Sequence, residues 1–408
     1  MAWKPYHSVW SALLFGWMTL YMVRVGMSPA LIPLMQEFNL THSQAGVLAT
    51  AVFLAYTFLQ LPAGHFGDRF GRKTFLVIST LGWSVLSFFT GFANSFHSLF
   101  GLRLLTGLFE GSYFGNDRPI ISAYTPREKM GFGQGISAMG MGLGMGLGIM
   151  LGGIISQNLG WRYVFIFFAI PSFLAGLLIW RVVREPFQSR EQKARPSLPY
   201  TRVFLNRELW LINFTGFTVM YVFWVLGTWI PAVFREQGLS KLAESSFYGS
   251  VIGLVAIPAL PASGYFSDWV VKRGKGRKLI MVVEILILSF LIWMIGKSVE
   301  FKGSISLMLF LVLLAGLFLW SFFAPFYALI SDLVPKDVLG TTFGLTNTVC
   351  FMGSLIAPWM TGALRDLTGD FAWGFYSSAA LLWLGALSIA AVKPVFQWGP
   401  EPKLQARS

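Results

Sequence analysis

Long runs without charged residues constrain the fold of this chain more than any other feature. A helix that crosses a bilayer needs about 20 mostly apolar residues, and twelve stretches of the chain meet that requirement. In order they are 8–33, 44–64, 74–93, 99–122, 132–156, 162–183, 208–233, 245–264, 279–296, 304–330, 340–363 and 372–392. Because the chain is 55% hydrophobic and only 12% charged, a soluble fold would have almost no polar residues for its surface. We therefore predict an all-α integral membrane protein with twelve transmembrane helices, here called spans 1 to 12.

The basic residues indicate which ends of the spans face the cytoplasm. If the N-terminus lies inside, the inner ends and loops hold 22 of the 31 Lys and Arg residues. Such an excess marks the cytoplasmic side of a membrane protein, so both termini are expected there. The net charge of +13 is then explained by topology and by attraction to anionic lipid, not by nucleic acid. The first apolar stretch is too long for a cleaved signal peptide, and we expect a multi-pass protein of the inner (cytoplasmic) membrane.

One polar stretch divides the spans into two groups of six. Residues 184–207, REPFQSREQKARPSLPYTRVFLNR, are rich in charge and proline, which is typical of a linker and leaves room for a short interfacial helix. The predicted organisation is a six-helix bundle at 1–183, a cytoplasmic linker at 184–207, a second six-helix bundle at 208–393 and a cytoplasmic tail at 394–408.

Two basic hairpins occupy equivalent places in the two groups. The first, GHFGDRFGRK at Gly64–Lys73, lies between spans 2 and 3, and the second, GYFSDWVVKRGKGRK at Gly264–Lys278, lies between spans 8 and 9. Asp68 in the first corresponds to Asp268 in the second. Parallel six-helix repeats of this kind are a transporter architecture.

The chain resembles the major facilitator superfamily of secondary transporters along its whole length. Besides the first hairpin, the resemblance rests on RLLTGLFEG in span 4, GWRYVF before span 6 and REP after it. It implies two pseudo-repeated six-helix bundles with a conformational latch at the inner surface. The latch residues are Gly64, Asp68, Arg69, Arg72, Asp117 and Asp268. Asp68 would face the N-terminal end of span 11, near 340–343, where a helix dipole favours a carboxylate; the alternative is that the basic cluster only sets topology.

Three ionisable residues of span 4 recur every seven positions. Arg103, Glu110 and Asp117 therefore share one helix face, with Glu110 near the membrane midplane. Arg24 in span 1 is a further charge deep in the membrane, where charged groups normally face a cavity and pair. It is either a ligand of an anionic substrate or the partner of Glu110. A proton on Glu110 would free Arg24 for the substrate, whereas the alternative is a permanent structural ion pair.

These positions are similar to the anion:cation symporter branch of the family, which takes up organic anions such as sugar acids together with protons. Arg24, Arg103 and Glu110 match that branch, but Val23 stands where it often has an acidic residue. The resemblance implies that Arg24 and Arg103 bind substrate and that Glu110 couples transport to protons. The number of protons stays open, because one of the two usual carboxylates is absent.

The second half of the chain offers aromatic and neutral polar residues instead of charges. Tyr221 in span 7, Tyr327 in span 10 and Asn347 in span 11 lie at depths where they could bind substrate; the alternative is that they only pack between helices. A positive first half that faces an aromatic second half favours an amphipathic organic anion. Span 5 contains GQGISAMGMGLGMGLGIMLGG, and such a glycine-rich face predicts close contact with other helices.

The leading functional prediction is a secondary active transporter that moves a small organic anion by alternating access, coupled to protons as a symporter. The alternatives are export of a lipid or an amphiphilic compound, and a membrane sensor on the same fold that transports nothing. The sequence holds no cluster of metal ligands or catalytic residues, so no enzyme, metal or cofactor is predicted. The expected partners are the anionic substrate, protons and membrane lipid, but no nucleic acid, and the chain is expected to be a monomer.

Overall fold

The computed structural model describes residues 3–126, 129–185, 200–274, 276–335 and 338–393. The first half contains α1 (Pro5–Val25), α2 (Met27–Phe38), α3 (His42–Phe70), α4 (Arg72–Thr90), α5 (Phe96–Gly111), α6 (Phe114–Tyr124), α7 (Met130–Asn158) and α8 (Trp161–Val182). The short α9 (Tyr200–Leu205) lies in the predicted linker. The second half contains α10 (Arg207–Glu236), α11 (Leu242–Leu254), α12 (Ala256–Lys272), α13 (Arg277–Glu300), α14 (Ile305–Ser321), α15 (Phe323–Leu333), α16 (Leu339–Thr368) and α17 (Ala372–Ala391). The rest of the linker at 186–199 and the tail at 394–408 lie outside the described residues.

Each of the twelve predicted spans is helical, and four of them are divided into two helices. The divided spans are span 1 (α1 and α2), span 4 (α5 and α6), span 8 (α11 and α12) and span 10 (α14 and α15). Within the described residues, ten helical segments are long and apolar enough to cross a membrane by length and composition. Large apolar side chains such as Phe92, Trp180 and Phe290 are exposed on the outside of the bundle, as a surface in contact with lipid requires. The predicted all-α membrane fold is confirmed.

The two halves meet mainly through two pairs of helices. Span 2 packs on span 11 (α3 on α16), and span 5 packs on span 8 (α7 on α11). The glycines of span 5 explain the second contact, because a Cβ added at Gly142 or Gly146 would collide with Ala256 or Leu254. The close helix contact predicted from the glycine-rich sequence is therefore present, and it lies between the halves.

An even number of spans brings both chain ends and the linker to the same end of the bundle. We call this the inner end and the opposite one the outer end. Span 1 is divided after Val25 and span 4 after Gly111. These two breaks lie next to Arg24 and Glu110, so the fold sets both charged residues at helix ends inside the first half.

Candidate functional site

A buried ion pair joins span 1 to span 4. Nε of Arg24 donates a hydrogen bond to Oε2 of Glu110 at 2.8 Å, and Nη2 lies 2.7 Å from the same oxygen. The two side chains are 1% and 0% exposed. Of the two arrangements predicted for Arg24, the structure therefore contains the pair with Glu110.

Four aromatic rings surround the guanidinium group of Arg24. Its central carbon lies 4.5 Å from the ring centre of Tyr56 and between 5.3 and 5.9 Å from those of Tyr21, Phe53 and Trp224. Ring faces attract a cation, more strongly where water is excluded. Trp224 comes from span 7 in the second half, so this cation is shared between the halves.

A small cavity adjoins Arg24 at the contact between the halves. Its volume is about 10 Å³, and its lining includes Ser28, Trp224 and Thr228. That is room for about one water molecule. Oγ of Ser28 donates to the carbonyl oxygen of Thr228 at 2.6 Å and joins span 1 to span 7 on the outer side of Arg24. The Arg24 site is thus closed around its own ion pair, while Nη1 of Arg24 and Oε1 of Glu110 have no hydrogen-bond partner among the described residues.

Arg103 does not line this cavity, and its role as a substrate ligand stays a prediction. Its Nη1 and Nη2 donate to the carbonyl oxygens of Val23 and Arg24 at 3.2 and 3.1 Å, and the residue is 1% exposed. The last carbonyls of a helix lack partners within the helix, and a basic side chain can satisfy them. Because α1 ends at Val25, Arg103 instead holds the helix end that carries Arg24.

The predicted residues of the second half lie elsewhere in the interior. Oη of Tyr327 donates to Oδ1 of Asn347 at 3.1 Å, so these two are brought together. Tyr221 is 5% exposed. None of the three lines the cavity at Arg24, where the second half contributes Trp224 and Thr228 among others. Trp224 follows Tyr221 by three residues and shares its helix face, and this spacing was the signal that could have identified it.

Asp117 lies at the inner end of span 4, as predicted, and is completely buried. Its Oδ2 accepts a hydrogen bond from Nε1 of Trp17 at 2.7 Å and lies 3.6 Å from Nε of Arg118. The carboxylate therefore joins spans 1 and 4 within the first half.

The first basic hairpin is held by Glu185 of the REP motif, a contact that the sequence did not predict. The carboxylate of Glu185, after span 6, accepts hydrogen bonds from the backbone N–H groups of Arg72 (2.7 Å) and Lys73 (2.8 Å). It thereby caps the N-terminus of α4, where a negative charge is favoured. Nη1 of Arg72 also donates to the carbonyl oxygen of Gly115 at 2.9 Å.

Three predicted latch residues of this hairpin are only partly covered by the structure. Gly64, Asp68 and Arg69 lie in α3, but the placement of their side chains is outside the described part of the chain. The predicted contact between Asp68 and span 11 therefore stays a prediction.

The second basic hairpin contains a bridge of three charges. Nη2 of Arg277 lies 2.9 Å from Asp268, and its Nε lies 2.9 Å from Asp332 at the end of span 10. Asp268 thus pairs within the second half, at the place that corresponds to Asp68 in the first.

At the outer end, a carboxylate of span 11 binds the first turn of span 2. Asp366 accepts hydrogen bonds from the backbone N–H groups of His42 (3.1 Å) and Ser43 (2.7 Å), and the Nδ1 atom of His42 lies 2.8 Å away. A helix N-terminus favours such an anion. This contact joins the halves at the outer end, and the sequence did not predict it because His42 and Asp366 are 324 residues apart in the chain.

The sequence pattern described as Major Facilitator Superfamily matches residues 13–358. Among similar proteins, "Probable sulfoacetate transporter" of Cupriavidus necator is 27% identical, with 96% of this chain and 95% of that protein covered. "D-galactonate transporter" of Escherichia coli is 26% identical, with 90% and 91% covered. "Hexuronate transporter" of Bacillus subtilis is 25% identical, with 92% of each covered.

Solved structures share the fold at lower identity. A bacterial homologue of the human lysosomal transporter Spinster matches with a TM-score of 0.81 at 18% identity, over 98% of this chain and 100% of the other. A D-xylose–proton symporter matches with a TM-score of 0.78 at 16% identity, over the same shares of the two chains.

Proposed function

The chain belongs to the Major Facilitator Superfamily, and we propose that it carries a small organic anion across the cytoplasmic membrane by proton-coupled alternating access. It is a membrane transporter, like the similar proteins, and it is not an enzyme. Their printed names include sulfoacetate, D-galactonate and hexuronate. What these compounds share is a small polar body with an acidic group, and this shared chemistry is the proposed substrate class.

The observation that carries the proposal is the buried pair of Arg24 and Glu110. A buried charge without a partner is costly, so partners must be exchanged and not simply removed. If Glu110 takes up a proton, it becomes neutral and Arg24 is left as a single cation. A carboxylate or sulfonate substrate then replaces Glu110 as the counter-ion. The site is electrically neutral before and after this exchange.

This exchange sets the proposed stoichiometry. Each monovalent anion enters with one proton, because Glu110 is the one carboxylate paired with Arg24 among the described residues and Val23 stands at the position of the branch's other acid. Symport of one proton with one monovalent anion moves no net charge. A divalent sugar acid would carry one negative charge across with the same proton.

The contacts between the halves support the proposal of alternating access. The Ser28–Thr228 contact closes the outer side of the Arg24 cavity, and Asp366 ties the outer ends of spans 2 and 11. Opening to the outer side must break both contacts, so each of them biases the equilibrium between the two states. We place both termini in the cytoplasm because the basic residues gather at the inner end.

Uptake into proteoliposomes tests the proposal. The purified protein is reconstituted, and accumulation of sulfoacetate, D-galactonate and D-glucuronate is followed with the outside acidic. We expect at least one acid to accumulate against its gradient. Glu110→Gln should abolish accumulation while preserving exchange of internal for external substrate, because the amide cannot carry a proton.

Glu284→Gln is the matched control, since Glu284 is another buried carboxyl group, in span 9, away from Arg24. It should leave accumulation intact. If the Glu110 variant still concentrates substrate, Glu110 is not the coupling residue. If no acid crosses the sealed bilayer with the wild-type protein, the transport proposal for this substrate class fails. That outcome is the one expected of a sensor on this fold.

A further inference from the structure

A second and larger cavity lies at the outer end, between the halves. Its volume is about 250 Å³, and its lining comes from α2, the first residue of α3 and the end of α10. A cavity of about 150 Å³ already admits a molecule the size of benzene. The outer cavity therefore has room for a small organic acid, whereas the cavity at Arg24, of about 10 Å³, does not.

The two cavities are stacked along the same pair of helices. Ser28 and Thr228 line the inner one, while Ile32 and Ala232 line the outer one. Ile32 follows Ser28 by four positions on one helix, and Ala232 follows Thr228 by four positions on the other. Four residues of helix correspond to a rise of about 6 Å. The Ser28–Thr228 hydrogen bond lies between the cavities, so the outer cavity is directly outside the barrier that covers Arg24.

One of the basic side chains around the outer cavity is unpaired among the described residues. Glu236 is paired with Arg365 at 3.1 Å, and Asp366 is held by His42 and by backbone N–H groups. Arg235 lines the cavity and makes no ion pair within the described part of the chain. The guanidinium of Arg235 is therefore available to bind an anion in this space.

The remaining lining suits an organic anion better than an inorganic one. Gln36 and His42 supply polar groups at the rim, and Met35 and Trp229 supply apolar surface beside them. A few polar groups among apolar ones are the usual composition of a small-molecule site.

We propose that the outer cavity is a second anion subsite, in which Arg235 holds the carboxylate or sulfonate of the substrate before the Ser28–Thr228 contact opens toward Arg24. This inference rests on the proposed function and names a residue for an earlier step of it. Arg235 and Arg24 then bind the same acidic group in turn, on the two sides of one barrier.

The charge of the cavity can be tested without knowing the substrate. Gln36→Cys places a thiol at the exposed rim, and the native Cys350 is buried. The thiol is labelled with an anionic (sulfonatoethyl) or a cationic (trimethylammonioethyl) methanethiosulfonate, and the ratio of the two rates is measured. Adding Arg235→Gln should lower the anionic-to-cationic ratio by about tenfold, because a nearby unit charge acts with opposite sign on the two reagents.

Two control variants separate this effect from general ones. Arg235→Lys keeps the charge and should keep the ratio. Arg181→Gln removes one positive charge from the exposed inner end of α8 and should leave the ratio unchanged. A ratio that does not respond to Arg235→Gln overturns the assignment.

Ligand protection tests the occupant. Sulfoacetate, D-galactonate or D-glucuronate should slow the labelling of Gln36→Cys, and Arg235→Gln should abolish this protection. Protection should persist in Arg24→Gln, where uptake is lost. If none of the three acids protects, or if Arg24→Gln removes protection, the cavity is not a separate subsite for organic acids, even if uptake occurs. If protection occurs without uptake, the subsite stands and the proposed transport function fails.

Discussion

Replacing the two members of the buried ion pair one at a time should destabilise the protein unequally. Removing one partner of such a pair costs roughly 3–5 kcal/mol, because the other charge is left buried. In Glu110→Gln the remaining cation still has four ring faces within 5.9 Å and an amide oxygen to bond, so we expect the lower figure, about 3 kcal/mol. In Arg24→Gln the remaining carboxylate loses the cation that pairs with it, and no attraction between a cation and a ring replaces that pair, so we expect about 4–5 kcal/mol.

The double variant Arg24→Gln/Glu110→Gln removes both charges and leaves two amides of similar size. It should be more stable than the sum of the single losses predicts, with a coupling energy of about 3 kcal/mol. Thermal unfolding in detergent at pH 8 measures all four proteins. At about 2 °C per kcal/mol for a chain of this size, the single variants should melt about 6 °C and about 8–10 °C below the wild type.

The chain supplies its own control for this cycle. Arg162 and Glu37 make an ion pair at 2.6 Å, but both side chains are 37–38% exposed. The same double substitution there should show a coupling of about 1 kcal/mol or less, because exposed pairs are screened by water. If the losses of the buried pair simply add, or if Glu110→Gln is the more damaging variant, the argument from burial and ring contacts is refuted.

Three further outcomes follow from the contacts described above. Asp366→Asn removes the carboxylate from the N-terminus of α3 and should shift the equilibrium toward the state open at the outer end by about 1 kcal/mol. The labelling rate of a cysteine placed between the halves should then rise about fivefold. An unchanged rate contradicts a gating role. Gly46→Ala should abolish uptake with little loss of folded protein, because the added Cβ would collide with the backbone carbonyl of Pro358 on the other half. Normal uptake would mean that the close contact at Gly46 is not needed for transport. Arg103→Gln should lower the melting temperature and raise the KM for uptake, since it leaves two buried carbonyls at the end of α1 without their hydrogen bonds. If both quantities stay unchanged, Arg103 does not stabilise the end of α1.

Much of the fold could be read from the sequence because the membrane imposes simple requirements. A helix must satisfy its own backbone and present apolar side chains to lipid, so the twelve spans appear directly as apolar runs. Arg103, Glu110 and Asp117, spaced by seven in the sequence, are all buried, although the break after Gly111 places Asp117 on a different helix from the other two. The sequence did not predict where helices break within spans. Gly26 and Ser112 stand at two of these breaks, but Gly and Ser also occur inside the unbroken helices of this chain.

The partners of the charges were harder to predict than their positions. The bonds from Arg103 to backbone carbonyls could not be predicted, because those carbonyls become available only where α1 ends. The sequence assigned no contact to Glu185, although it belongs to the REP motif, or to Asp366, since each lies at the end of a span where charged residues are common. Both act on the first turn of a helix that is distant in the chain, and such contacts leave no local pattern.

The sequence by itself determined the membrane fold, the division into two repeats, and the presence of Arg24 and Glu110 at a depth where neither can remain alone. Only the tertiary structure decided that these two residues pair, that aromatic rings from both halves surround Arg24, and that a second cavity with Arg235 lies outside the Ser28–Thr228 contact. The physical reason is the range of the interactions. Apolar length and helix spacing act within one segment, whereas the choice of a partner depends on which helices pack together, and that is settled between segments far apart in the chain.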